Sequence, residues 1–388
     1  MRALIVSEGS SRVALGAARA LGRAGWRVGI GSPTNRGFEA ASRWVAAWHP
    51  VPPPELSLEA FVRAVGRAVR SGAYEVVFGA GDAETLALSA ERDDISAVVP
   101  SPPYEVVLRA VDKLTLARAA AAAGLLSPRT EEATDEALSG VDGPVLVKAR
   151  LHWTPGVRDA PPRWPVTLAA DAATARTRSE EIRAGGGKPL LQEAVSGRLL
   201  SHALVADRDG SIVAAVQQVA DRTWPPNAGP GIRYRTVEPD EDIAKKLAAL
   251  VADLGWFGLA QFQFVAPLGG DPLLIDMNGR FYGSMALATA AGSNLADAWA
   301  RLATDRPPRR TPRARVGVRY QWLEADLRRA WVERRGGLAA DFLDSLQRAA
   351  RSRHVVWDSR DPLPAARHGA DLAGRALSKA VRALTGAR

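Results

Sequence analysis

The sequence predicts an α/β protein: a small doubly wound N-terminal domain, a mixed α+β core, and a basic helical extension at the end. Three observations predict it. The first hundred residues alternate apolar strand-like runs with helical periodicity and begin as a βαβ unit. Between residues 105 and 305, short apolar strands end in lysine, in amide and acid, or in acid, amide and arginine. Beyond Asp305 the run Arg306-Pro307-Pro308-Arg309-Arg310-Thr311-Pro312 reads as a linker, and arginine-rich helical patterns follow at 323–335, 338–350 and 366–384.

In the first domain, residues 1–10 read as a strand entering a Gly/Ser turn, Glu8-Gly9-Ser10-Ser11. Residues 12–24 carry helical periodicity in Val13, Leu15, Ala17, Ala20 and Leu21, and 26–31 reads as a second strand. Glu75 to Gly79 is another strand, ending at Gly79-Ala80-Gly81-Asp82 before a helix from Ala83 to Glu91. Ligands of such sheets sit beyond the C-terminal strand ends, where Gly9, Gly81 and Asp82 lie. There is no G-x-G-x-x-G, so dinucleotide binding is not expected.

In the core, Asp112-Lys113 opens a helical stretch, Leu114 to Ala123. Pro144-Val145-Leu146-Val147-Lys148 is a strand ending in lysine, and a buried lysine without an anion is costly. Lys113 and Lys148 each offer a point charge to phosphates. Leu190-Leu191-Gln192-Glu193-Ala194-Val195 is a strand entering the turn Ser196-Gly197, and Gly258 to Phe264 is an alternating strand. Leu273-Leu274-Ile275-Asp276-Met277-Asn278-Gly279-Arg280 is the most informative segment. Strand alternation puts Asp276, Asn278 and Arg280 on one face. An acid beside an amide offers hard oxygen ligands for Mg²⁺, and the arginine suits a phosphate or a developing oxyanion. Two proline-broken loops, 150–165 and 220–231, read as mobile covers. Arg233 and Arg235, on one face of an extended segment, are candidates for a substrate carboxylate. Ser284 is expected to cap the helix after it.

In this order, these segments resemble the core of the ATP-grasp ligases, whose last strand usually reads acid-x-Asn-Pro-Arg. The run Phe281-Tyr282-Gly283-Ser284-Met285-Ala286-Leu287 resembles carboxylate–amine-ligase members related to the carbamoyl-phosphate synthetase large subunit. The resemblance implies a Rossmann-like pre-ATP-grasp domain at 1–104, two ATP-grasp subdomains at 105–195 and 196–305, and an extension at 306–388. It implies ATP, and Mg²⁺ with Mn²⁺ as the alternative. Lys113 and Lys148 become phosphate and purine contacts, and Gln192, Glu193 and Val195 the adenine linker. Gln263, Asp276 and Asn278 become the metal ligands, and Arg280 the group that stabilises an acyl-phosphate or its tetrahedral adduct. The implied reaction is amide formation between a small carboxylate and an amine. The sequence departs from the pattern at four places. Gln263 and Asp276 stand where an acid and a glutamate are usual, Leu199 and Leu200 where a ribose-binding carboxylate is common, and Gly279 where proline is usual.

Composition narrows the rest. There is no cysteine, which removes disulfides and thiol catalysis. No apolar run approaches the ~18 residues of a membrane span, so membrane insertion is not expected and a cytoplasmic protein is the simplest reading. The net charge is +9, yet lysine occurs only at 113, 148, 188, 245, 246 and 379. Two of these fall at motif positions, and the arginine excess suits a high-GC composition more than a nucleic-acid footprint. A homodimer is compatible with the reading. The alternatives are a nucleotide binder without catalysis, which the weakened acids permit, and a basic nucleic-acid or anionic-surface binder. Trp322, Trp331 and Trp357 are expected to pack on the core.

Overall fold

The computed structural model describes residues 1–153, 164–226, 229–309 and 313–385. The first domain contains β1 (Arg2–Val6), α1 (Arg12–Arg23), β2 (Arg27–Ser32), β3 (Val45–Pro50), α2 (Leu58–Gly72), β4 (Val76–Gly79) and α3 (Asp82–Ala90). Its sheet is wholly parallel in the order β3-β2-β1-β4. The order reverses between β1 and β4, the place where ligands of such sheets usually sit. Leu4, Ile5, Val77 and Phe78 are fully buried because both faces of a parallel sheet are covered. Ser11 starts α1 by accepting the Ala14 amide at 3.2 Å. The sequence reading has no counterpart for β3, whose Trp48-His49-Pro50 end is only half-buried and shows no clean alternation.

Helices α4 (Tyr104–Val111) and α5 (Lys113–Ala122) lead to a small sheet. Its elements are β5 (Thr130–Glu132), α6 (Asp135–Ser139), β6 (Val145–Ala149), β7 (Thr167–Ala169), α7 (Ala172–Ala184) and β8 (Pro189–Glu193). The strand order is β5-β8-β6-β7, antiparallel throughout, over its own apolar cluster around Leu138, Val147 and Ile182. Most of the first proline-broken loop, 154–163, lies outside the described residues.

The large sheet is built from β9 (Arg198–Ala206), β10 (Ile212–Thr223) and β11 (Gly231–Val237), then, after α8 (Glu241–Leu254), from β12 (Gly258–Ala266) and β13 (Leu273–Asn278). Helices α9 (Met285–Ala291) and α10 (Leu295–Ala303) follow, then β14 (Arg319–Gln321), α11 (Leu323–Glu333), α12 (Leu338–Ala349) and α13 (Leu363–Thr385). The order is β13-β12-β9-β10-β11-β14. Phe262 and Phe264 on β12 are fully buried, each contributing about 1.5–3 kcal/mol by leaving water. The second expected loop is shorter than its proline pattern suggests. Ala220 to Thr223 continue β10, and residues 227–228 lie outside the described residues.

The region after Asp305 does not hang from the core. Its β14 pairs with β11, and its helices close over Arg222 and Arg233. Farther on, Asp361 returns to the first domain, where it accepts Arg19 Nε at 2.8 Å, Ser42 Oγ at 2.6 Å and the Arg43 amide at 2.9 Å. Of the three tryptophans expected in the core, only Trp322 packs, with the Arg12 guanidinium 3.2 Å from its ring centre. Trp331 and Trp357 are exposed. Among the described residues, no helix is long and apolar enough to cross a membrane.

Candidate functional site

The small and large sheets bring their polar groups together through α5, which packs on β13. Asp112 caps α5 by accepting the Leu114 and Thr115 amides at 3.0 and 3.2 Å, which fixes Lys113 in the first turn. Arg150, past the end of β6, clamps the cap with Nε at 2.7 Å from Asp112 and Nη1 at 2.9 Å from Glu132. The Lys113 ammonium is buried and, among the described residues, reaches only the Arg150 carbonyl, at 3.4 Å.

Lys148 is buried on β6 and donates to Gln192 Oε1 on β8 at 2.5 Å. Gln192 donates in turn to Thr130 Oγ1 at 2.8 Å. Burial pushes the Lys148 ammonium down to about 8, against the pull of Asp276 and with the help of Lys113. Lys148 therefore lies within electrostatic reach of both Lys113 and the acid of the large sheet. Sequence reasoning had no signal for Thr130 or Arg150, because their roles depend on neighbours far along the chain.

On the large sheet, register sets Gln261 opposite Asn278 and Gln263 opposite Asp276. Opposed residues share a face, so four polar side chains line one patch while Phe262 and Met277 point into the core. Asn278 donates to Gln261 Oε1 at 3.2 Å, and among the described residues Asp276 accepts only the adjacent Met277 amide, at 3.0 Å. Among the described residues, no three His, Cys, Asp or Glu side chains gather into a metal cluster. Mg²⁺ bridging phosphates takes few protein ligands, typically one or two carboxylates. The Asp276 carboxylate with the amide oxygens of Gln263 and Asn278 fits that need at its minimum.

Arg280 lies beyond β13 and reaches into the first domain. Its Nε meets Asp82 Oδ1 at 2.6 Å, Nη2 meets Asp82 Oδ2 at 3.0 Å, and Nη1 meets the Phe281 carbonyl at 3.0 Å. His152 Nδ1 lies 2.6 Å from the same Asp82 Oδ2. Burial alone would raise the Asp82 carboxyl, but Arg280 and His152 hold it well below its ordinary range. Asp82 is thus a fixed counter-ion. A guanidinium has five N–H donors, and these contacts leave one on each Nη for a substrate.

Gly279 has a steric reason to replace proline. A Cβ there would lie 2.1 Å from Trp256 Cη2, and Trp256 is buried. Gly279→Ala is expected to cost about 1–3 kcal/mol of stability by overpacking, and to shift Asn278 and Arg280 on either side. Denaturant unfolding together with MgATP affinity measures both effects. Unchanged values would show that the indole yields freely.

Of the segment expected to line adenine, Glu193 is already bonded within the chain. The Glu193 amide donates to the Arg129 carbonyl at 2.9 Å, and its carboxylate accepts the Arg129 amide at 3.3 Å. Val195, half-buried beyond β8, has no hydrogen bond among the described residues. Leu200 is buried in the core and faces no ligand.

Arg233 and Arg235 do not form a carboxylate-binding pair. Arg233 is buried, with Nε at 2.6 Å from Asp326, Nη1 at 2.6 Å from Asp344 and Nη2 at 3.0 Å from Ser345. Arg235 is exposed and bonds Asp221 at 3.2 Å. The acids that consume Arg233 lie about a hundred residues away, beyond any local pattern. Ser284 stands at the start of α9 but makes no cap bond; its Oγ accepts Gln218 Nε2 at 2.6 Å.

A family profile described as "ATP-grasp in the biosynthetic pathway with Ter operon" matches residues 190–326, from β8 into α11. A search of curated protein sequences finds no match. Among solved structures, the fold is similar to the biotin carboxylase domain of 2-oxoglutarate carboxylase from Hydrogenobacter thermophilus, in complex with MgADP, ADP and bicarbonate. That likeness has a TM-score of 0.62 and 13% identity over 81% of this chain and 73% of that one. An L-amino acid ligase from Bacillus licheniformis gives 0.59 and 16%, over 78% and 74%. The N5-carboxyaminoimidazole synthetase from Staphylococcus aureus, with ADP, gives 0.60 and 12%, over 80% and 78%. At these identities the likeness is one of fold, and it agrees with the profile. The chain thus shares the fold of these structures, and over residues 190–326 it is similar to the ATP-grasp family.

Proposed function

We propose that this protein is an ATP-dependent carboxylate–amine ligase that forms an amide bond and releases ADP and phosphate. The observation that carries the reading is that buried Lys148 lies within electrostatic reach of both Lys113 and Asp276, and Arg280 within reach of the same acid. Cations and an oxygen-donor face converging from two sheets suit a nucleoside triphosphate.

In this reading, the two lysines hold ATP phosphates, and Gln192, Glu193 and Val195 line the purine side. Asp276, Gln263 and Asn278 would hold Mg²⁺ or Mn²⁺, which supplies countercharge to phosphate oxygens. A substrate carboxylate attacks the γ-phosphorus; the bond to the β,γ-bridging oxygen breaks, giving ADP and an acyl-phosphate. The amine then attacks the acyl carbon and phosphate leaves. Arg280, held rigid by Asp82, offers its two remaining N–H groups to the transferring phosphoryl or the tetrahedral adduct. No side chain need act as a nucleophile. Position and countercharge do the chemistry. Asp82, bound to Arg280 and His152, is not available as a base.

Calorimetry of ATP binding, with and without Mg²⁺, tests the reading on wild type and Asp276→Ala. Magnesium-dependent binding in wild type that Asp276→Ala loses is the expected result, followed by ADP release when acids and amines are supplied in pairs. Tight binding indifferent to Mg²⁺ and to Asp276, with no ADP release, would favour the non-catalytic nucleotide binder. Absence of ATP binding would overturn both.

A further inference from the structure

A cavity of about 590 Å³ opens where the C-terminal extension returns to the first domain. Its walls are α1, α9 and the segment from Ala349 to Arg360. It shares no lining residue with the site proposed for ATP and Mg²⁺. The space has a cause in the sequence. Helices α1 and α9 pack on each other, and Gly16 and Ala20 of one and Ala286 and Ala290 of the other are too small to fill the gap. The volume falls within the roughly 300–1,000 Å³ of small-molecule sites.

The third wall is held firmly. The Arg353 amide donates to the Arg319 carbonyl at 2.7 Å, bridging to the β14 edge beside Tyr320. Both ring nitrogens of His354 meet carbonyls, that of Gln321 at 3.1 Å and that of Ala349 at 2.9 Å. Arg19 of α1, only 4% exposed, ties this wall to the first domain. It donates to the Val355 carbonyl, to the Val356 carbonyl at 3.1 Å and to Asp361. A wall fixed before binding leaves little ordering entropy for a ligand to overcome.

The lining carries four arginines and one acid. Arg19 is paired with Asp361 and Arg23 with Asp358. The guanidinium groups of Arg353 and Arg360 have no partner among the described residues. Two unspent guanidinium forks around one cavity suit a phosphate or a carboxylate. Trp357 lines the same cavity and is 57% exposed, which leaves an indole face open for a ring to stack on.

We propose that this cavity binds a small anion built on a flat ring, with its phosphate or carboxylate on Arg353 and Arg360 and its ring against Trp357. The site is separate from the proposed ATP site and does not depend on the ligase reading. Nucleotides and aromatic acids share this chemistry, and the test separates them.

Calorimetry on the full chain compares AMP, UMP and indole-3-carboxylate with adenosine, uridine, indole and inorganic phosphate. The expected result is binding of at least one ring-bearing anion, at least about tenfold tighter than its uncharged counterpart and than inorganic phosphate. Binding by the nucleotides alone assigns the site to a phosphate, and binding by indole-3-carboxylate alone to a carboxylate. Arg353→Gln and Arg360→Gln are each expected to weaken binding about tenfold, and Trp357→Ala about fivefold or more. All three positions are exposed, so an unchanged unfolding midpoint is expected for each variant. Lys148→Met, in the proposed ATP site, should leave this binding unchanged. Binding lost in Lys148→Met but kept in the three cavity variants places the anion in the ATP site and overturns the inference. Failure of every ring-bearing anion to bind, or equal affinity for inorganic phosphate, overturns it as well. Loss of MgATP binding with the anion still bound at the cavity counts against the ligase reading alone.

Discussion

Asp326→Ala should lower the unfolding free energy by about 3–5 kcal/mol, because it strands two buried guanidinium groups. Asp326 is fully buried and accepts Arg222 Nη1 at 2.9 Å and Arg233 Nε at 2.6 Å. Arg222 also meets Asp341 at 2.9 Å and Glu333 at 2.8 Å. Burial opposes ionisation of Asp341, but the Arg222 and Arg335 donors draw its carboxyl down to about 2. With an ordinary value of 3.8, its stabilising share is present above about pH 4 and is lost as pH falls towards 2. These bonds join β10 and β11 to α11 and α12, so the variant should release the C-terminal helices first. Denaturant unfolding followed by tryptophan fluorescence checks this, since Trp322 and Trp331 report on that region. A loss below about 1 kcal/mol, the size of an ordinary exposed pair, would show that water or a neighbouring acid compensates.

Lys148→Met should weaken MgATP binding about 10- to 100-fold, as expected for loss of a charged hydrogen bond to phosphate. The wild-type affinity should also fall as pH rises through about 8. Phosphate favours the ammonium, and the free chain holds this lysine near 8, so above that pH binding must first take up a proton. Below it the charge is already present. Lys148→Arg keeps a cation at every pH and should flatten the profile, although its planar fork fits a lysine site imperfectly. Calorimetry from pH 6.5 to 9.5 checks both. A wild-type profile flat across that range would remove Lys148 from the phosphate contacts.

The sequence by itself determined the elements and the order of the chemical stations. Period-2 alternation put Asp276 and Asn278 on one face of β13, and the resemblance added Gln263, which the register sets opposite Asp276. The rarity of lysine singled out Lys113 and Lys148, and both are buried, Lys148 within electrostatic reach of Asp276. Cap chemistry placed Asp112 before α5, and the helical patterns of the extension became α11, α12 and α13.

Only the tertiary structure decided which arginines are free. Arg280 and Arg233 look alike in sequence: each ends or follows a polar-edged strand in an arginine-rich chain. Arg233 is consumed by Asp326 and Asp344, whereas Arg280 keeps donors unspent beside Asp82. The physical reason is range. Helical and strand periodicity act over a few residues, and side-chain type marks what a position can do. Ion pairing and burial depend on which distant groups the packed chain brings within a few ångströms, and that is settled only when the sheets close on one another.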